Sequence, residues 1–137
     1  MEPIRVVVNG ALGRMGQEVI NAIAKQDNIA LVGAVEKEVT QKYLPILGMV
    51  VRFSVDLDSL LGVCDANVVV DFTTAEASMA AARIAAKRKV NLVIGTTGLS
   101  EENIAEIDQL CQSYDIGAVV VPNFSLSAAV LIKLAEL

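Results

Sequence analysis

A glycine-rich turn near the amino terminus is the clearest chemical signal in the sequence. Three valines at residues 6–8 are followed by Gly10, Gly13 and Gly16, a spacing typical of a tight turn between a strand and a helix. Glycine lets the backbone approach a pyrophosphate with no Cβ in the way, and the N–H groups that begin the helix can hold phosphate oxygens. The pattern favours dinucleotide binding over an ordinary strand–helix turn.

An acidic residue follows at the distance that a dinucleotide site needs. Glu36 ends the second aliphatic run, 26 residues after Gly10, where a carboxylate can accept hydrogen bonds from both hydroxyls of the adenosine ribose, which favours NAD. The neighbouring Lys37 could instead attract the 2′-phosphate of NADP. The sequence therefore allows NADH or NADPH, and the alternative is a solvated Glu–Lys pair at the start of a loop.

The segment from Asp71 to Glu76 allows a structural and a functional interpretation. Thr73 and Glu76 have the capping-box spacing, in which the threonine side chain accepts the N–H of the glutamate and the glutamate reaches back. That role alone would explain the segment. The functional alternative places Phe72 and Thr73 beside a ligand crevice at the carboxyl end of the sheet.

Two further polar turns follow predicted strands, the Gly-Thr-Thr-Gly run at residues 95–98 and the Pro-Asn-Phe-Ser run at residues 122–125. Carboxyl ends of parallel strands meet at one edge of a sheet, so both turns are expected beside the glycine turn. Backbone N–H groups and hydroxyls in the first run can hold a carboxylate or a carboxamide. Convergence of these loops predicts a ligand site there.

The elements that must position these residues alternate between short aliphatic runs and helical patterns. This alternation predicts an α/β fold, a Rossmann-type doubly wound parallel sheet of about six strands with helices on both faces. The predicted strands are residues 4–8, 30–35, 50–53, 67–71, 92–94 and 118–121. The predicted helices are residues 13–26, 57–61 behind an Asp56 cap, 76–88, and 101–114 behind a Ser100 cap. Residues 37–48 are predicted to form a loop with a turn at Pro45.

Composition excludes several classes of function. The 137 residues suit one domain, and the absence of histidine excludes a catalytic histidine or a histidine metal ligand in this chain. A net charge of −5 without a basic stripe argues against nucleic acid as a partner. No apolar run approaches a membrane span and no secretory signal is seen, so a cytoplasmic protein is expected. Cys64 and Cys111 fit no metal or redox spacing, which predicts buried or free thiols and no metal site.

The last segment, residues 126–137, has a helical pattern that is apolar on nearly every side. Only Lys133 and Glu136 are charged there. A helix that is apolar all round must be buried, and little sequence remains here to bury it. We therefore expect the dinucleotide-binding domain to consist of residues 1–125. Residues 126–137 are then expected to begin a helix that leads to a further domain or to a partner subunit.

Four motifs in order resemble one known family. The runs V-x-V-x-G-x-x-G-R-M-G, D-F-T, V-I-G-T-T-G and P-N-F-S are similar to the amino-terminal half of 4-hydroxy-tetrahydrodipicolinate reductase (dihydrodipicolinate reductase). The resemblance covers essentially the whole chain. It implies NAD(P)H-dependent reduction of a small cyclic dicarboxylate in lysine (diaminopimelate) biosynthesis, with this chain supplying the cofactor-binding part.

The resemblance also implies roles for individual residues. The pyrophosphate would be cradled by Gly10, Gly13, Arg14, Met15 and Gly16. Glu36 would hold the adenosine ribose, and Lys37 stands where a basic residue contacts the 2′-phosphate. The remaining cofactor-contacting positions, around the nicotinamide, would be Phe72, Thr73, Gly95, Thr97, Asn123 and Phe124. Thr96 and Thr97 would also contact the substrate.

The family's catalytic His-His pair with its following lysine, and its Lys-x-Asp-x-Pro-Ser-Gly-Thr substrate loop, do not occur in this sequence. We therefore expect no catalytic residue in this chain and no turnover by the chain alone. The family's tetramer implies a homo-oligomer, with the state of this chain left open. Two alternatives remain, a stand-alone nucleotide-sensing module that acts through its last helix, and the cofactor domain of a related amino-acid dehydrogenase.

Overall fold

Seven strands form a single sheet in the computed structural model, which describes residues 2–38, 41–46 and 49–121. The sheet order is β3-β4-β2-β1-β5-β6-β7. The strands are β1 (Ile4–Asn9), β2 (Ile29–Val35), β3 (Tyr43–Ile46), β4 (Met49–Ser54), β5 (Val68–Asp71), β6 (Asn91–Ile94) and β7 (Ala118–Val120). The four helices among these residues are α1 (Arg14–Ala24), α2 (Leu57–Val63), α3 (Ala75–Lys87) and α4 (Glu101–Tyr114).

Alternate residues of the central strands bury side chains on opposite faces of the sheet, as the pleat requires. Val6 and Val8 belong to the core cluster that includes the apolar side of α1, whereas Val7 belongs to the cluster that includes residues of α2, α3 and α4. All three valines are fully buried. Both faces of β1 are therefore covered, and the aliphatic sequence of this strand follows from that position.

The predicted fold class is confirmed. Apart from β3, every strand pairs in parallel, and the parallel strands occur in the order 3-2-1-4-5-6 when numbered among themselves. That is the strand order of doubly wound dinucleotide-binding folds. The order reverses between β1 and β5, which places the switch point of the sheet at their carboxyl ends.

The prediction of a loop across residues 37–48 is wrong for its second half. Residues Tyr43–Ile46 form β3, which pairs antiparallel with β4 and places Pro45 opposite Val50. Proline is compatible with a strand at the edge of a sheet because no ladder bond to a further strand is needed there. The sheet thus carries one antiparallel edge strand beyond the six parallel strands.

The predicted capping box at Thr73 and Glu76 is also wrong. The N-cap of α3 is Thr74, whose side chain accepts the N–H of Ala77 at 3.2 Å. The Thr73 hydroxyl instead donates to Asp71 at 2.8 Å. Asp71 accepts hydrogen bonds from both the hydroxyl and the N–H of Thr73. The N-cap of α3 is therefore the next residue, Thr74.

The other predicted caps are confirmed. Asp56 accepts the N–H of Asp58 at the start of α2, and Ser100 forms a reciprocal capping box with Asn103 at the start of α4. Such caps satisfy N–H groups that have no partner inside the helix.

Cys64 and Cys111 are free and partly buried, and burial raises the pKa of both thiols. The described residues contain no group of three side chains suited to a metal ion. Nor does any helix within them combine the length and apolarity that a membrane crossing requires. Residues 126–137, with the predicted terminal helix, lie outside the described residues, as do Asn123 and Phe124.

Candidate functional site

A cleft of about 440 Å³ lies at the carboxyl ends of β1 and β5. This is the switch point of the sheet, where the loops after the two strands diverge and leave a crevice. The residues that line the cleft are Asn9, Gly10, Gly13, Val35, Glu36, Lys37, Val55, Phe72, Thr73, Thr74 and Ala77. Six of the predicted cofactor residues are therefore brought together here, namely Gly10, Gly13, Glu36, Lys37, Phe72 and Thr73.

The glycine turn needs two of its glycines for its own structure. Gly10 has a φ of +85°, a conformation that side chains rarely adopt, and its N–H donates to Val35 O at 2.9 Å. A Cβ on Gly16 would lie 2.1 Å from the carbonyl oxygen of Gly10. The close approach of helix α1 to the turn therefore excludes any side chain at position 16.

Gly13 differs, because the protein itself does not require a glycine there. Its φ is −67° and its ψ is 163°, and a Cβ would meet only Gly10 O at 3.4 Å, within the reach of ordinary contact. Gly13 nevertheless lines the cleft, so a side chain here would fill space that a ligand can use. A cradle of this kind fits the phosphates of a dinucleotide.

The start of helix α1 is open toward the same space. Gly13 is its N-cap and makes no side-chain capping bond, and the first turn contains no acidic residue. Arg14 and Met15 are both exposed at this end, Met15 with 40% of its surface accessible. The unpaired N–H groups and the positive end of the helix dipole favour an anion at this position.

Glu36 closes the opposite side of the glycine turn. Its Oε2 accepts the N–H of Leu12 at 2.8 Å, and its Oε1 accepts the N–H of Lys37 at 3.1 Å. Each carboxylate oxygen has a second lone pair, so both can still accept a hydroxyl of a ribose. The carboxylate is thus held in place and remains able to bind a ligand.

Beside Glu36 the cleft has a basic and an apolar wall. Lys37 is exposed and makes no ion pair with any residue that the structure describes. Val55, which follows β4, is 59% exposed although it is a large apolar residue. No sequence pattern points to Val55, since only the topology brings the end of β4 to this side of the cleft.

A buried hydrogen-bond network lies beneath the other end of the cleft. Asp71 is fully buried, and its Oδ1 accepts the Thr73 N–H at 3.0 Å, the Thr73 hydroxyl at 2.8 Å and the Ser78 hydroxyl at 2.5 Å. Its Oδ2 accepts the side-chain amide of Asn9 at 2.7 Å. The Thr96 hydroxyl has one proton and three acceptors within hydrogen-bond distance, Ser78 Oγ at 2.5 Å, Thr73 O at 3.1 Å and Asp71 Oδ1 at 3.2 Å. Sequence reasoning missed this network, because its members come from β1, β5, α3 and the two loops that follow β5 and β6.

The turn after β6 lies one strand away from the centre of the cleft. Gly95 and Thr96 are buried, and the Thr96 hydroxyl is used within the network. Thr97 is exposed, and Gly98 has a φ of +85°. A ligand at this end therefore meets Thr97 and the backbone of the turn rather than the Thr96 hydroxyl.

This topology, with a glycine turn and an acidic residue on either side of a cleft at the switch point, defines a dinucleotide-binding domain of the Rossmann type. The family model described as "Dihydrodipicolinate reductase, N-terminus" matches residues 4–124. The chain belongs to this family, whose amino-terminal part is the NAD(P)-binding domain. The resemblance found in the sequence is therefore confirmed.

Relatives from several bacteria agree with this assignment. The chain is 49% identical to the 4-hydroxy-tetrahydrodipicolinate reductase of Dehalococcoides mccartyi, over 99% of this chain and 52% of that protein. It is 44% identical to the enzyme of the same name from Moorella thermoacetica, over 97% of this chain and 51% of that protein. The chain thus spans about half the length of the curated relatives that it matches.

Solved structures show the same architecture. A dipicolinate-bound dihydrodipicolinate reductase from Paenisporosarcina sp. TG-14 superimposes with a TM-score of 0.76 at 27% identity, over 96% of this chain and 52% of that one. Homoserine dehydrogenase from S. aureus gives a TM-score of 0.70 at 16% identity, over 88% of this chain and 33% of that one. The second likeness shows the fold alone, so the alternative of a related amino-acid dehydrogenase is not favoured.

Proposed function

We propose that this chain binds NADH or NADPH in the cleft between β1 and β5 and forms the cofactor-binding part of a cytoplasmic 4-hydroxy-tetrahydrodipicolinate reductase. Residues 1–125 form this part, and residues 126–137 begin the connection to the rest of the reductase, which is a homo-oligomer. The proposal is carried by one observation, the open start of helix α1 facing Glu36 across the glycine turn.

The pyrophosphate is assigned to the glycine turn. N–H groups at the start of α1 donate to phosphate oxygens, and the exposed Arg14 adds a positive charge beside them. Met15 packs against the ligand with its exposed side chain. Gly10 and Gly16 shape the turn, and Gly13 leaves the space for the phosphates.

The adenosine half is assigned to the ends of β2 and β4. Glu36 accepts the ribose hydroxyls, and Val55 provides an apolar surface for the adenine ring. Lys37, exposed and without an ionic partner among the described residues, attracts the 2′-phosphate of NADPH. A carboxylate and an ammonium side by side support the use of both cofactors.

The nicotinamide half is assigned to the ends of β5 and β6. Its contacts come from Phe72, Thr73, Gly95 and Thr97, together with Asn123 and Phe124. When bound, the nicotinamide ring supplies a hydride to the substrate. The chain's own residues orient the ring and exclude water from one side of it.

The substrate is a small cyclic dicarboxylate. One related reductase, from Paenisporosarcina, has been solved with dipicolinate bound. We assign part of a carboxylate-binding site to Thr96 and Thr97, with the backbone of the turn at Thr96 and the exposed side chain of Thr97 as donors. We assign the groups that protonate the product to the rest of the reductase, since the family's His-His pair with its following lysine does not occur in this chain.

Calorimetric titration of this chain with NADH and with NADPH tests the cofactor assignment. We expect saturable binding of both cofactors with one site per chain. A folded sample that binds neither cofactor would contradict the proposal and would favour a module that acts on a partner.

A reductase assay tests the second part. Loss of absorbance of the reduced nicotinamide, with 4-hydroxy-tetrahydrodipicolinate as substrate, is expected only when the rest of the family sequence is fused to this chain. Turnover by residues 1–137 alone would contradict the assignment of the protonating groups to that remainder.

A further inference from the structure

The network around Asp71 joins three walls of the cleft through one carboxylate. Asn9 ends β1 next to the glycine turn, Thr73 lies in the loop between β5 and α3, and Thr96 lies in the turn after β6. Each of these side chains bonds directly to Asp71. The positions of the three loops are therefore linked through a single residue.

Neutral donors surround this carboxylate on both of its oxygens. Asn9, Thr73, Ser78 and Thr96 provide an amide, a backbone N–H and three hydroxyls, and the described residues place no cation against Asp71. Burying a carboxylate costs free energy unless such donors satisfy it. A buried apolar residue at this position would need no donors, so the arrangement is suited to holding loops rather than to filling a core.

Apart from Asn9, the network lies under one half of the cleft. Glu36 and Lys37 are at the end of β2, whereas Thr73 and Thr96 are at the ends of β5 and β6, on the other side of β1. A dinucleotide spans the switch point with its two halves on opposite sides of it. With the adenosine at Glu36, the nicotinamide half lies above the network.

We propose that Asp71, acting through Ser78 and Thr96, is a positioning residue that holds the turn at residues 95–98 against the nicotinamide half of the cofactor. This inference rests on the proposed function. Asp71 is too deeply buried to touch the ligand itself. Its effect is carried by the hydroxyl chain from Ser78 to Thr96, whose two oxygens lie 2.5 Å apart.

Comparison of NADH with ADP as ligands separates positioning from a general loss of structure. ADP contains the adenine, the ribose and the pyrophosphate but lacks the nicotinamide half. The Thr96→Val variant keeps the shape of the side chain and removes its hydroxyl. We expect the variant to bind NADH about fivefold more weakly or worse, which is the order of one lost hydrogen bond. Its affinity for ADP should stay within about twofold of that of the unmodified chain.

Three further variants complete the experiment. Thr96→Ser keeps the hydroxyl and is expected to recover NADH affinity. Asp71→Asn is expected to weaken NADH binding more than ADP binding, with some loss of both because Asn9 beside the glycine turn also bonds to Asp71. Ser78→Ala gives the same test if Asp71→Asn does not fold. The matched control is Ser59→Ala, which removes a hydroxyl that donates to Asp56 at 2.6 Å outside the cleft, and it should leave both ligands unaffected.

Equal loss of NADH and ADP, or no loss of either, in Thr96→Val and Ser78→Ala would overturn this inference alone. Failure of the unmodified chain to bind NADH would overturn the proposed function, and this inference with it. Selective loss of NADH without recovery in Thr96→Ser would also overturn the inference, because the hydroxyl would then not be the cause.

Discussion

The carboxylate of Glu36 accepts the backbone N–H of Leu12 at 2.8 Å, across 24 residues of sequence. This bond ties the end of β2 to the middle of the glycine turn. Glu36 therefore has a structural role in the turn in addition to its proposed role at the ribose. Substitutions at this position must separate the two.

Glu36→Gln and Glu36→Ala make that separation. Glutamine retains an oxygen for the Leu12 N–H, whereas alanine removes it. We expect NADH affinity to fall by about tenfold in the alanine variant, which loses hydrogen bonds to a charged acceptor, and by less in the glutamine variant. Titration calorimetry gives both values, and Glu18→Ala, at an exposed position on α1, is the control. Equal affinities for all four chains would refute the ribose assignment.

Lys37→Ala addresses the choice between the two cofactors. Removal of the ammonium is expected to lower the affinity for NADPH by about fivefold and to leave the affinity for NADH unchanged, because only NADPH carries the 2′-phosphate. The difference should shrink as salt is added, since Lys37 is exposed. Lys37→Arg keeps the charge and serves as the matched control. A parallel loss of NADH affinity would show that Lys37 acts on the turn rather than on the phosphate.

Gly13→Ala should lower cofactor affinity, whereas Gly16→Ala should lower stability. At position 16 the new Cβ would collide with Gly10 O, so we expect a loss of about 3 kcal/mol in the free energy of unfolding, as for severe overpacking. At position 13 the free energy should change by less than about 1 kcal/mol, yet cofactor affinity should fall. Urea unfolding and calorimetry measure the two effects. Unchanged NADH binding in a folded Gly13→Ala chain would contradict the phosphate cradle.

The position of the α3 cap is open to a direct stability test. Thr74→Ala removes the side chain that accepts the Ala77 N–H and should cost about 1 kcal/mol of unfolding free energy. Glu76→Ala should change it by no more than about 0.5 kcal/mol, since Glu76 is exposed and is not the partner of a capping box. Thermal unfolding of the two variants gives the comparison. A larger effect at Glu76 than at Thr74 would restore the capping box expected from the sequence.

The parallel part of the fold could be predicted because its signals are local. Aliphatic runs such as residues 6–8 and 92–94 are buried on both faces and need no partner to be recognised. Strand β3 could not be predicted in this way, because Pro45 indicates a turn by its local preference. Only the pairing of Tyr43–Ile46 with β4 makes it a strand.

The candidate site likewise contains residues that local sequence signals predict and residues whose role depends on tertiary contacts. Spacing alone predicts Gly10, Gly16 and Glu36 as candidate site residues, since the turn and the strand end fix their separation in sequence. The shift of the α3 cap from Thr73 to Thr74 depends on Asp71, which captures the Thr73 hydroxyl. The role of Ser78 could not be predicted, because serine is common in the first turns of helices and only the folded structure brings this one to Asp71.

Pro45 has a consequence at the outer boundary of the sheet. The Phe53 N–H donates to Lys42 O at 2.7 Å, and in an antiparallel ladder the bonded pairs alternate, so the pair Pro45–Val50 is a non-bonded one. The backbone nitrogen of Pro45 therefore faces outward, and it carries no hydrogen. A strand from another molecule that tried to extend the sheet beside β3 would find a donor missing in the middle of the edge. Pro45 therefore makes the β3 edge of the sheet a poor template for edge-to-edge pairing.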